Sequence, residues 1–202
     1  MPLHSNPPLI LASGSRYRRE LLERLRVSFT VQAPHVDETP LTGESPHETA
    51  LRLAREKAHA VAAAHPNAVV IGSDQVAMLD GRQIGKPGDH PTAMAQLRMM
   101  RGKVVEFHTA LCVHDARSGL SQSDDVMTFV TVRDLPDETL DAYLRAEEPY
   151  DCAGSAKSEG LGIMLLEKVE STDPTALIGL PLIALTTMLM RAGFTLPASQ
   201  AQ

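Results

Sequence analysis

The sequence predicts an α/β fold with a mixed, twisted central sheet and flanking helices, and three observations lead to that prediction. Short apolar runs alternate with segments whose apolar residues recur at helical spacing, as in strands joined by crossover helices. Tight-turn signals join other strands directly as antiparallel hairpins. The 202 residues contain no repeat or long linker, so we expect a single domain over residues 1–202, with an ordered core at about 9–194.

The first three elements are predicted from short local patterns. The apolar run Leu-Ile-Leu-Ala at 9–12 is typical of a buried strand. Residues 16–26 are predicted to be helical because apolar side chains, beginning with Tyr17 and Leu21, recur at helical spacing. A second strand is expected at 29–33, where the sequence is Phe-Thr-Val-Gln-Ala.

The second helix has the clearest start signal in the chain. Ser45 is placed at the N-cap, Pro46 at the first helical position and Glu48 at the third, which together form a capping box with a first-turn proline. We expect this helix to end near 65–66. A buried strand is predicted at 68–72, and it leads into a polar tripeptide.

The second half begins with a hairpin, because Asp80-Gly81 lies between two short strand-like segments at 76–79 and 82–84. The remaining predictions are a helix from 91 to about 100, strands at 104–114 and 126–133 joined through a turn at 117–119, a helix at 136–147, a polar Gly-rich loop at 151–162, a strand at 163–168 and a final helix at 180–192. We expect the short polar tail after this helix to be disordered.

Composition and charge exclude several classes of protein. A net charge of −6 argues against bulk nucleic-acid binding, although a few local basic residues are enough to hold a triphosphate. No stretch approaches the ~20 apolar residues that a membrane helix needs. With no signal peptide and no CxxC pair, Cys112 and Cys152 are expected as free thiols in a reducing cytoplasm. The scattered histidines make a zinc site an unfavoured interpretation.

A turn suited to anion binding follows the first strand. Ser13 and its neighbours at 14–15 precede a helix, so backbone N–H groups and the positive end of the helix dipole would face a ligand there. Three arginines, Arg18 among them, occupy the first helical turn, where the dipole disfavours cations, and a bound anion would explain them. The alternative is an ordinary strand-to-helix turn with a solvated basic face.

Two acidic positions could hold a metal ion. Asp37 and Glu38 lie on a loop after the second strand, and Mg²⁺ is held by one or two carboxylates together with phosphate oxygens. Solvated surface acids are the alternative. Asp74 directly follows the apolar strand at 68–72, at the strand end where α/β sheets bind ligands. We favour metal or proton chemistry for Asp74 over a turn cap.

Three lysines complete this set of charges. Lys57 lies inside the second helix, Lys86 lies in a tight Gly-Lys-Pro turn, and Lys157 lies in the polar loop. Each alone is best explained as a surface lysine. Together with the arginines and acids, they supply the point charges and carboxylates that a metal–triphosphate site requires.

A series of short motifs, in order along the chain, resembles the Maf family of nucleoside triphosphate pyrophosphatases. The motifs are Leu11-Ala12-Ser13-Gly14-Ser15 with Arg18-Arg19 and Leu21-Leu22, Val36-Asp37-Glu38, Glu56-Lys57-Ala58, Gly72-Ser73-Asp74, Gly85-Lys86-Pro87 and Ala153-Gly154-Ser155. Each is weak alone, whereas the ordered set spans roughly residues 9–192 and is highly specific.

The resemblance implies a fold, a reaction and a partner. The fold would be a single elongated domain around a cleft, related to inosine-triphosphate pyrophosphatases, and the protein would be a homodimer. It would hydrolyse a nucleoside triphosphate with the help of Mg²⁺ or Mn²⁺, without binding nucleic acid or a membrane. The physiological role implied is the removal of modified nucleotides before their incorporation.

The resemblance also assigns roles to individual residues. It implies that Asp74 is the proton acceptor that activates water and that Glu38 and Asp74 hold the metal. The phosphate-binding positions are Ser13, Arg18, Lys57 and Lys86.

Three further positions bear on base preference. The pyrimidine-cleaving branch of the family has Arg, Thr and Gln where this chain has Tyr17, Gln75 and Glu159, and the present residues resemble the branch acting on 7-methyl-GTP. That branch often has Trp at the position of Tyr17. Methylation at N7 makes guanine cationic, which an aromatic face and a carboxylate would recognise. Without the family, a core position for Tyr17 and a plain loop acid at Glu159 are favoured.

Two other functions stay open from the sequence. The same enzyme could act on dTTP, UTP or another noncanonical nucleotide. A non-enzymatic regulator of septum formation is the alternative from a different class, and it predicts that replacing Asp74 leaves function intact.

Overall fold

A computed structural model describes residues 6–197 of the chain. Its strands are β1 (Leu9–Ala12), β2 (Thr30–Val31), β3 (Val69–Leu79), β4 (Arg82–Ile84), β5 (Val104–Asp115), β6 (Leu120–Val132) and β7 (Leu166–Ser171). Its α-helices are α1 (Arg16–Glu23), α2 (Pro46–Ala62), α3 (His90–Met100), α4 (Asp137–Glu147) and α5 (Leu182–Arg191). Two short 3-10 turns, Ala153–Ser155 and Leu161–Leu165, lie between α4 and β7.

The strands form one mixed sheet, which confirms the predicted α/β class. The strand order is β2-β1-β3-β5-β6-β7, and β4 pairs with β3. β1 is parallel to both β2 and β3, whereas the β3–β4 and β6–β7 pairs are antiparallel. Crossover helices lie between the parallel strands, a tight hairpin joins β3 to β4, and α4 lies between β6 and β7.

The two strongest local signals are confirmed. At the start of α2, the Ser45 side chain accepts a hydrogen bond from the Glu48 backbone, and the Glu48 side chain bonds back to the Ser45 backbone, which completes the capping box. Asp80 and Gly81 adopt φ angles of 49° and 74° and join β3 to β4. Both positions need a left-handed backbone in a two-residue hairpin, which explains the Asp-Gly sequence.

One prediction about the site residues is wrong. Asp74 does not follow a strand that ends at Gly72, because β3 continues to Leu79 and pairs with β4 beyond the polar residues. The polar side chains interrupt the apolar run without ending the strand. The neighbouring β1 does stop, since its last residue, Ala12, lies opposite Gly72. Asp74 therefore lies beyond the carboxyl end of β1, although it is inside β3.

Several element boundaries also differ from the predictions. β6 begins at Leu120 and not at 126, because its early residues are polar: Ser121 and Ser123 hydrogen-bond to side chains of α2. β2 has only two residues, α1 ends three residues early, and β7 begins at Leu166, after a 3-10 turn.

The ordered core is predicted to extend to about residue 194, and the disorder expected in the polar tail beyond it stays a prediction. Phe194 is buried in the core, and its N–H donates to the Leu189 carbonyl at 3.0 Å. The rest of that tail, 198–202, lies outside the described residues.

The chain divides into two compact units. The first contains the residues up to Asp74, Thr109–Val126 and those from Asp173 onward, and the second contains Gln75–His108 and Met127–Thr172. The single elongated domain around a cleft stays a prediction. Among residues 6–197, no helix is long and apolar enough to cross a membrane.

Each unit has an apolar core of its own. The core of the first is built on β1, α1 and α5, with the side chains of Leu9, Leu11, Leu21, Leu22, Val69, Ile71, Leu111, Leu185 and Leu189 among its members. In the second unit, α3, α4, β5 and β6 contribute the buried side chains Leu97, Met100, Val105, Phe107, Val130, Leu140 and Leu144.

Candidate functional site

Three charged side chains meet in the first unit. The Lys57 ammonium lies 2.6 Å from Oδ1 of Asp74 and 2.6 Å from Oε1 of Glu38. Lys57 is 5% and Asp74 is 7% exposed, whereas the Glu38 side chain is 63% exposed. Burial of a charge costs free energy unless the charge is paired, and here two carboxylates pair the buried Lys57 ammonium. The Lys57–Asp74 pair is therefore a buried ion pair, which the exposed Glu38 carboxylate joins from the loop.

A glycine contact brings Lys57 to Asp74. A Cβ atom at Gly72 would lie 2.1 Å from the carbonyl oxygen of Ala54 and 2.7 Å from the amide nitrogen of Ala58, both in α2. Only glycine therefore permits this close packing of α2 on β3. Lys57 precedes Ala58, and Asp74 lies two residues after Gly72, so this contact fixes the spacing of the pair.

The loop that carries Glu38 is held from both sides. Asp37 Oδ1 accepts from the Thr39 N–H at 3.0 Å, and hydrogen bonding from Thr39 lowers the pKa of Asp37. Arg52, in α2, donates to the Thr39 carbonyl at 3.2 Å and to both carboxylate oxygens of Glu44 at 2.7 and 2.8 Å. The two adjacent acids therefore differ in role, since Asp37 caps the loop and Glu38 reaches the lysine.

The turn predicted between β1 and α1 is formed, and anion binding there stays a prediction. The Ser13 side chain is buried and accepts from the Ser15 N–H at 3.1 Å, and the Ser15 side chain caps α1. Arg18 Nη1 lies 3.5 Å from Ser13 Oγ. Burial lowers the pKa of the Arg18 guanidinium, and the charges of Asp74 and Glu38 oppose that shift.

Gly179 is a contributor that the sequence analysis did not identify. Its carbonyl accepts from Arg18 Nε at 2.8 Å and from Ser73 Oγ at 3.0 Å. Its φ of 119° is a conformation that favours glycine. A glycine inside an apolar segment just before a helix is the only signal of it that the sequence carries.

The aromatic ring of Tyr17 makes a cation–π contact with the guanidinium of its neighbour Arg16. The Arg16 guanidinium carbon lies 4.7 Å from the ring centroid, and Arg16 Nη2 donates to the Tyr17 hydroxyl at 2.6 Å. Tyr17 is half-buried at the start of α1, where the fully buried side chains are Leu21 and Leu22. The ring therefore makes the type of contact that a cationic base requires.

The remaining predicted site residues belong to the second unit. Gln75 is half-buried in β3, and Lys86 is exposed in the turn after β4. That turn is tied to the loop after α4, because the Gly85 carbonyl accepts from the Gly154 N–H at 3.4 Å. Glu159 is exposed in the same loop. The Gly-Lys-Pro and Ala-Gly-Ser motifs, far apart in sequence, are thus neighbours.

Lys157 is not a solvated surface lysine. Its ammonium pairs with the Glu147 carboxylate at the end of α4, and the two side chains are only 22% and 15% exposed. Sequence reasoning did not identify Glu147, because nothing in the local pattern of α4 distinguishes it from the other acids of that helix.

The donors near Lys57 fit a divalent metal ion. Carboxylate oxygens of Glu38 and Asp74 already converge on one cation, the lysine ammonium, and hard oxygen ligands of this type suit Mg²⁺ or Mn²⁺. Glu38 is exposed and can turn toward an incoming ion, whereas Asp74 is fixed in β3.

The chain matches the Maf-like protein family over residues 8–192. Three bacterial relatives are named 7-methyl-GTP pyrophosphatase: that of Ralstonia nicotianae is 68% identical (94% of this chain, 98% of the relative), that of Cupriavidus pinatubonensis is 65% identical (93% and 94%), and that of Burkholderia pseudomallei is 66% identical (95% and 91%).

Among solved structures, the Staphylococcus aureus Ham1 protein aligns with a TM-score of 0.44 and 15% identity, over 63% of this chain and 72% of that one. We draw nothing from a similarity of that size. The family match covers both the charge cluster of the first unit and the loop of the second, and with relatives at this identity it follows that the chain belongs to the Maf family.

Proposed function

We propose that this protein hydrolyses 7-methyl-GTP to 7-methyl-GMP and pyrophosphate, with a divalent metal ion as cofactor. The observation that carries the proposal is the buried Lys57 between the carboxylates of Asp74 and Glu38. The names of the relatives support both the reaction and the substrate. Removal of a modified nucleotide before its incorporation, in the cytoplasm and by a homodimer, is the physiological setting we propose.

In the proposed reaction, Asp74 acts as general base. Its carboxylate accepts a proton from a water molecule, whose oxygen forms a bond to the α-phosphorus. The bond between that phosphorus and the bridging oxygen breaks, and pyrophosphate leaves with the bonding electron pair. Asp74 suits this role because it is fixed in β3 and held by Lys57 at 2.6 Å.

Basic residues of the chain bind the phosphates in this proposal. Arg18 is oriented by the Gly179 carbonyl at 2.8 Å, and the charges of Asp74 and Glu38 oppose the lowering of its pKa by burial. Lys57 can neutralise charge that develops on the α-phosphate as well as offset the repulsion between the two carboxylates. Ser13 has a buried hydroxyl and Lys86 has an exposed ammonium, and each would bind a phosphate oxygen in this proposal.

The metal ion would be held by Glu38 and Asp74. When bound, it would neutralise phosphate charge and favour the deprotonated form of a nearby water. Mg²⁺ and Mn²⁺ are the ions proposed, because both prefer carboxylate and phosphate oxygens.

Base recognition is assigned to Tyr17, Gln75 and Glu159. The Tyr17 ring already accepts a guanidinium at 4.7 Å, and a 7-methylguanine ring is likewise cationic and flat. Glu159 would accept from the N1–H and the exocyclic amine of the base, and this pairing is strongest when the base is charged. Gln75 is a neutral amide that can donate and accept.

The experiment is hydrolysis of a nucleotide panel by the purified protein, with pyrophosphate and phosphate measured separately. We expect pyrophosphate in one step, and a higher kcat/KM for 7-methyl-GTP than for GTP, dTTP or UTP. Glu159→Gln should remove most of the preference over GTP. Sequential release of single phosphates contradicts the reaction, whereas a preference for dTTP or UTP contradicts only the substrate.

A further inference from the structure

Glu159 lies at the tip of a tight turn in the second unit. The Gly160 N–H donates to the Lys157 carbonyl at 3.0 Å, which closes the turn, and Glu159 is its third residue. Its side chain is exposed. The direction in which this carboxylate points therefore depends on how the two ends of the turn are held.

One carboxylate holds both ends. Glu147, the last residue of α4, pairs through Oε1 with the Lys157 ammonium, and its Oε2 accepts from the Leu161 N–H at 2.9 Å. Lys157 begins the turn, and Leu161 directly follows it. A charge-assisted hydrogen bond on each side is stronger than a neutral one and fixes the geometry more tightly.

A buried phenol holds the preceding residues. The Tyr143 hydroxyl donates to the Ser155 carbonyl at 2.6 Å and accepts from the Lys157 N–H at 3.3 Å. Burial raises the pKa of Tyr143 far above its ordinary value, so the hydroxyl keeps its proton and donates at all physiological pH. Ser155 has a φ of 56°, an unusual value for serine that such a contact helps to maintain.

The turn has little room to move. A Cβ atom at Gly160 would lie 3.0 Å from each oxygen of Glu147, and one at Gly162 would lie 2.5 Å from the Lys157 carbonyl oxygen. The backbone of Lys157 therefore leaves no room for a side chain at Gly162, and a side chain at Gly160 would press on the Glu147 carboxylate. A displaced Glu147 would displace the turn with it.

We infer that Glu147, assisted by Tyr143, is a positioning residue that places Glu159 to recognise a cationic base. The inference rests on the proposed function, since it gives Glu159 the role stated there. It adds that specificity is set by the end of α4, through residues that do not themselves touch the nucleotide.

The test is a double-mutant cycle on base preference. Glu147→Gln keeps the side-chain shape but places an uncharged group beside Lys157. We expect the ratio of kcat/KM for 7-methyl-GTP over GTP to fall at least about fivefold, through a higher KM with kcat nearly unchanged. In a Glu159→Gln background, the same substitution should cause no further fall, because Glu147 acts through Glu159.

A matched control lies on the same helix. Arg145, two residues before Glu147, forms an exposed ion pair with Asp141 and makes none of the contacts that hold the turn, so Arg145→Met should leave the ratio unchanged. Hydrogen exchange gives a readout that needs no substrate. The amides of Lys157 and Leu161 should exchange faster in Glu147→Gln and at the wild-type rate in Arg145→Met. If Glu147→Gln does not fold, Lys157→Met removes the other partner.

The outcomes separate this inference from the proposed function. A wild-type protein without preference for 7-methyl-GTP overturns the proposed substrate, and the inference with it. A wild-type preference that Glu147→Gln leaves intact overturns the inference alone. A further fall in the Glu159→Gln background, or unchanged amide exchange at 157 and 161, also overturns it.

Discussion

The two regions with the most chemistry are built in opposite ways. Lys57 and Asp74 are buried and lie on regular elements, α2 and β3, whose spacing a glycine contact fixes. Glu159 is exposed on an irregular turn that side chains of α4 hold. In the proposed function, the reaction would depend on the buried pair between α2 and β3, whereas base preference would depend on a turn that side chains of α4 hold in place.

The substitution with the largest expected effect is at Asp74, in the buried pair with Lys57. Asp74→Asn removes the general base, so kcat should fall by ~10²–10⁴-fold on every nucleotide, with the preference among nucleotides unchanged. Steady-state kinetics on 7-methyl-GTP and GTP measure both quantities. Asp37→Asn is the matched control, because Asp37 caps Thr39 and should leave kcat near the wild-type value. Full activity in Asp74→Asn would contradict the assignment of Asp74 as the general base.

The metal proposal gives the next effect. Glu38→Gln keeps the shape of the side chain but removes its charge, so the metal concentration for half-maximal activity should rise at least ~10-fold, the cost typical of losing even an outer-shell partner. Titration with Mg²⁺ and with Mn²⁺ measures it, with Asp37→Asn again as the control. Undiminished activity in EDTA would contradict the metal assignment for both carboxylates.

The sequence predicts those features of the first region that depend on neighbouring residues, and it misses those that depend on tertiary packing. The capping box at Ser45 and the turn at Asp80-Gly81 are local, since each depends on residues within four positions. The resemblance supplied Lys57 and Asp74 as site residues, but their ion pair joins residues that only tertiary packing brings together. Asp74 was placed after a strand because polar residues resemble a strand end.

The second region was less predictable. Lys157 was expected at the surface, and its partner Glu147 lies ten positions away on a helix with other acids. No periodicity selects one of them. Glu159 was identified only by family resemblance, and the turn contacts that orient it involve backbone groups, which carry no sequence signal.

The close packing of α2 on β3 at Gly72 predicts an effect of intermediate size on stability and activity. Gly72→Ala should force α2 away from β3, because the added Cβ would lie 2.1 Å from a backbone oxygen that cannot turn aside. We expect a loss of about 1–3 kcal/mol in the free energy of unfolding, and lower kcat as Lys57 moves from Asp74. Urea denaturation measures the first. Gly85→Ala is the stability control, since a Cβ there meets nothing within 4 Å. Equal stability of the two variants would contradict the packing argument.

A fourth prediction concerns Tyr17, which belongs to the first unit but is proposed to recognise the base and not to take part in the reaction. Tyr17→Leu removes the aromatic face and keeps apolar bulk, so the KM for 7-methyl-GTP should rise by roughly 2- to 30-fold, with little change for GTP. Tyr17→Phe keeps the face and should retain the preference. Isothermal titration with 7-methyl-GMP and GMP separates binding from turnover. An equal loss for both nucleotides would make Tyr17 a packing residue.

The smallest effect concerns the loop that carries Glu38. Hydrogen bonds from Arg52 lower the pKa of Glu44 to about 2, against an ordinary value of 4.5. A depressed folded-state pKa means that the charged group stabilises the fold above pH 4.5 and that this contribution disappears as the pH falls toward 2. Glu44→Gln should therefore be less stable than wild type at neutral pH, and the two urea midpoints should converge on acidification.

The control for this comparison is Glu23→Gln on α1, which breaks an exposed ion pair with Arg19 and should change the midpoint little at any pH. Arg52 also donates to the Thr39 carbonyl, next to Glu38, so the Glu44 pair orients the loop as well as stabilising it. We accordingly expect Glu44→Gln to raise the metal concentration required for activity slightly, and by less than Glu38→Gln does. A midpoint difference that stays constant between neutral pH and pH 2 would show that the charge of Glu44 does not hold this loop.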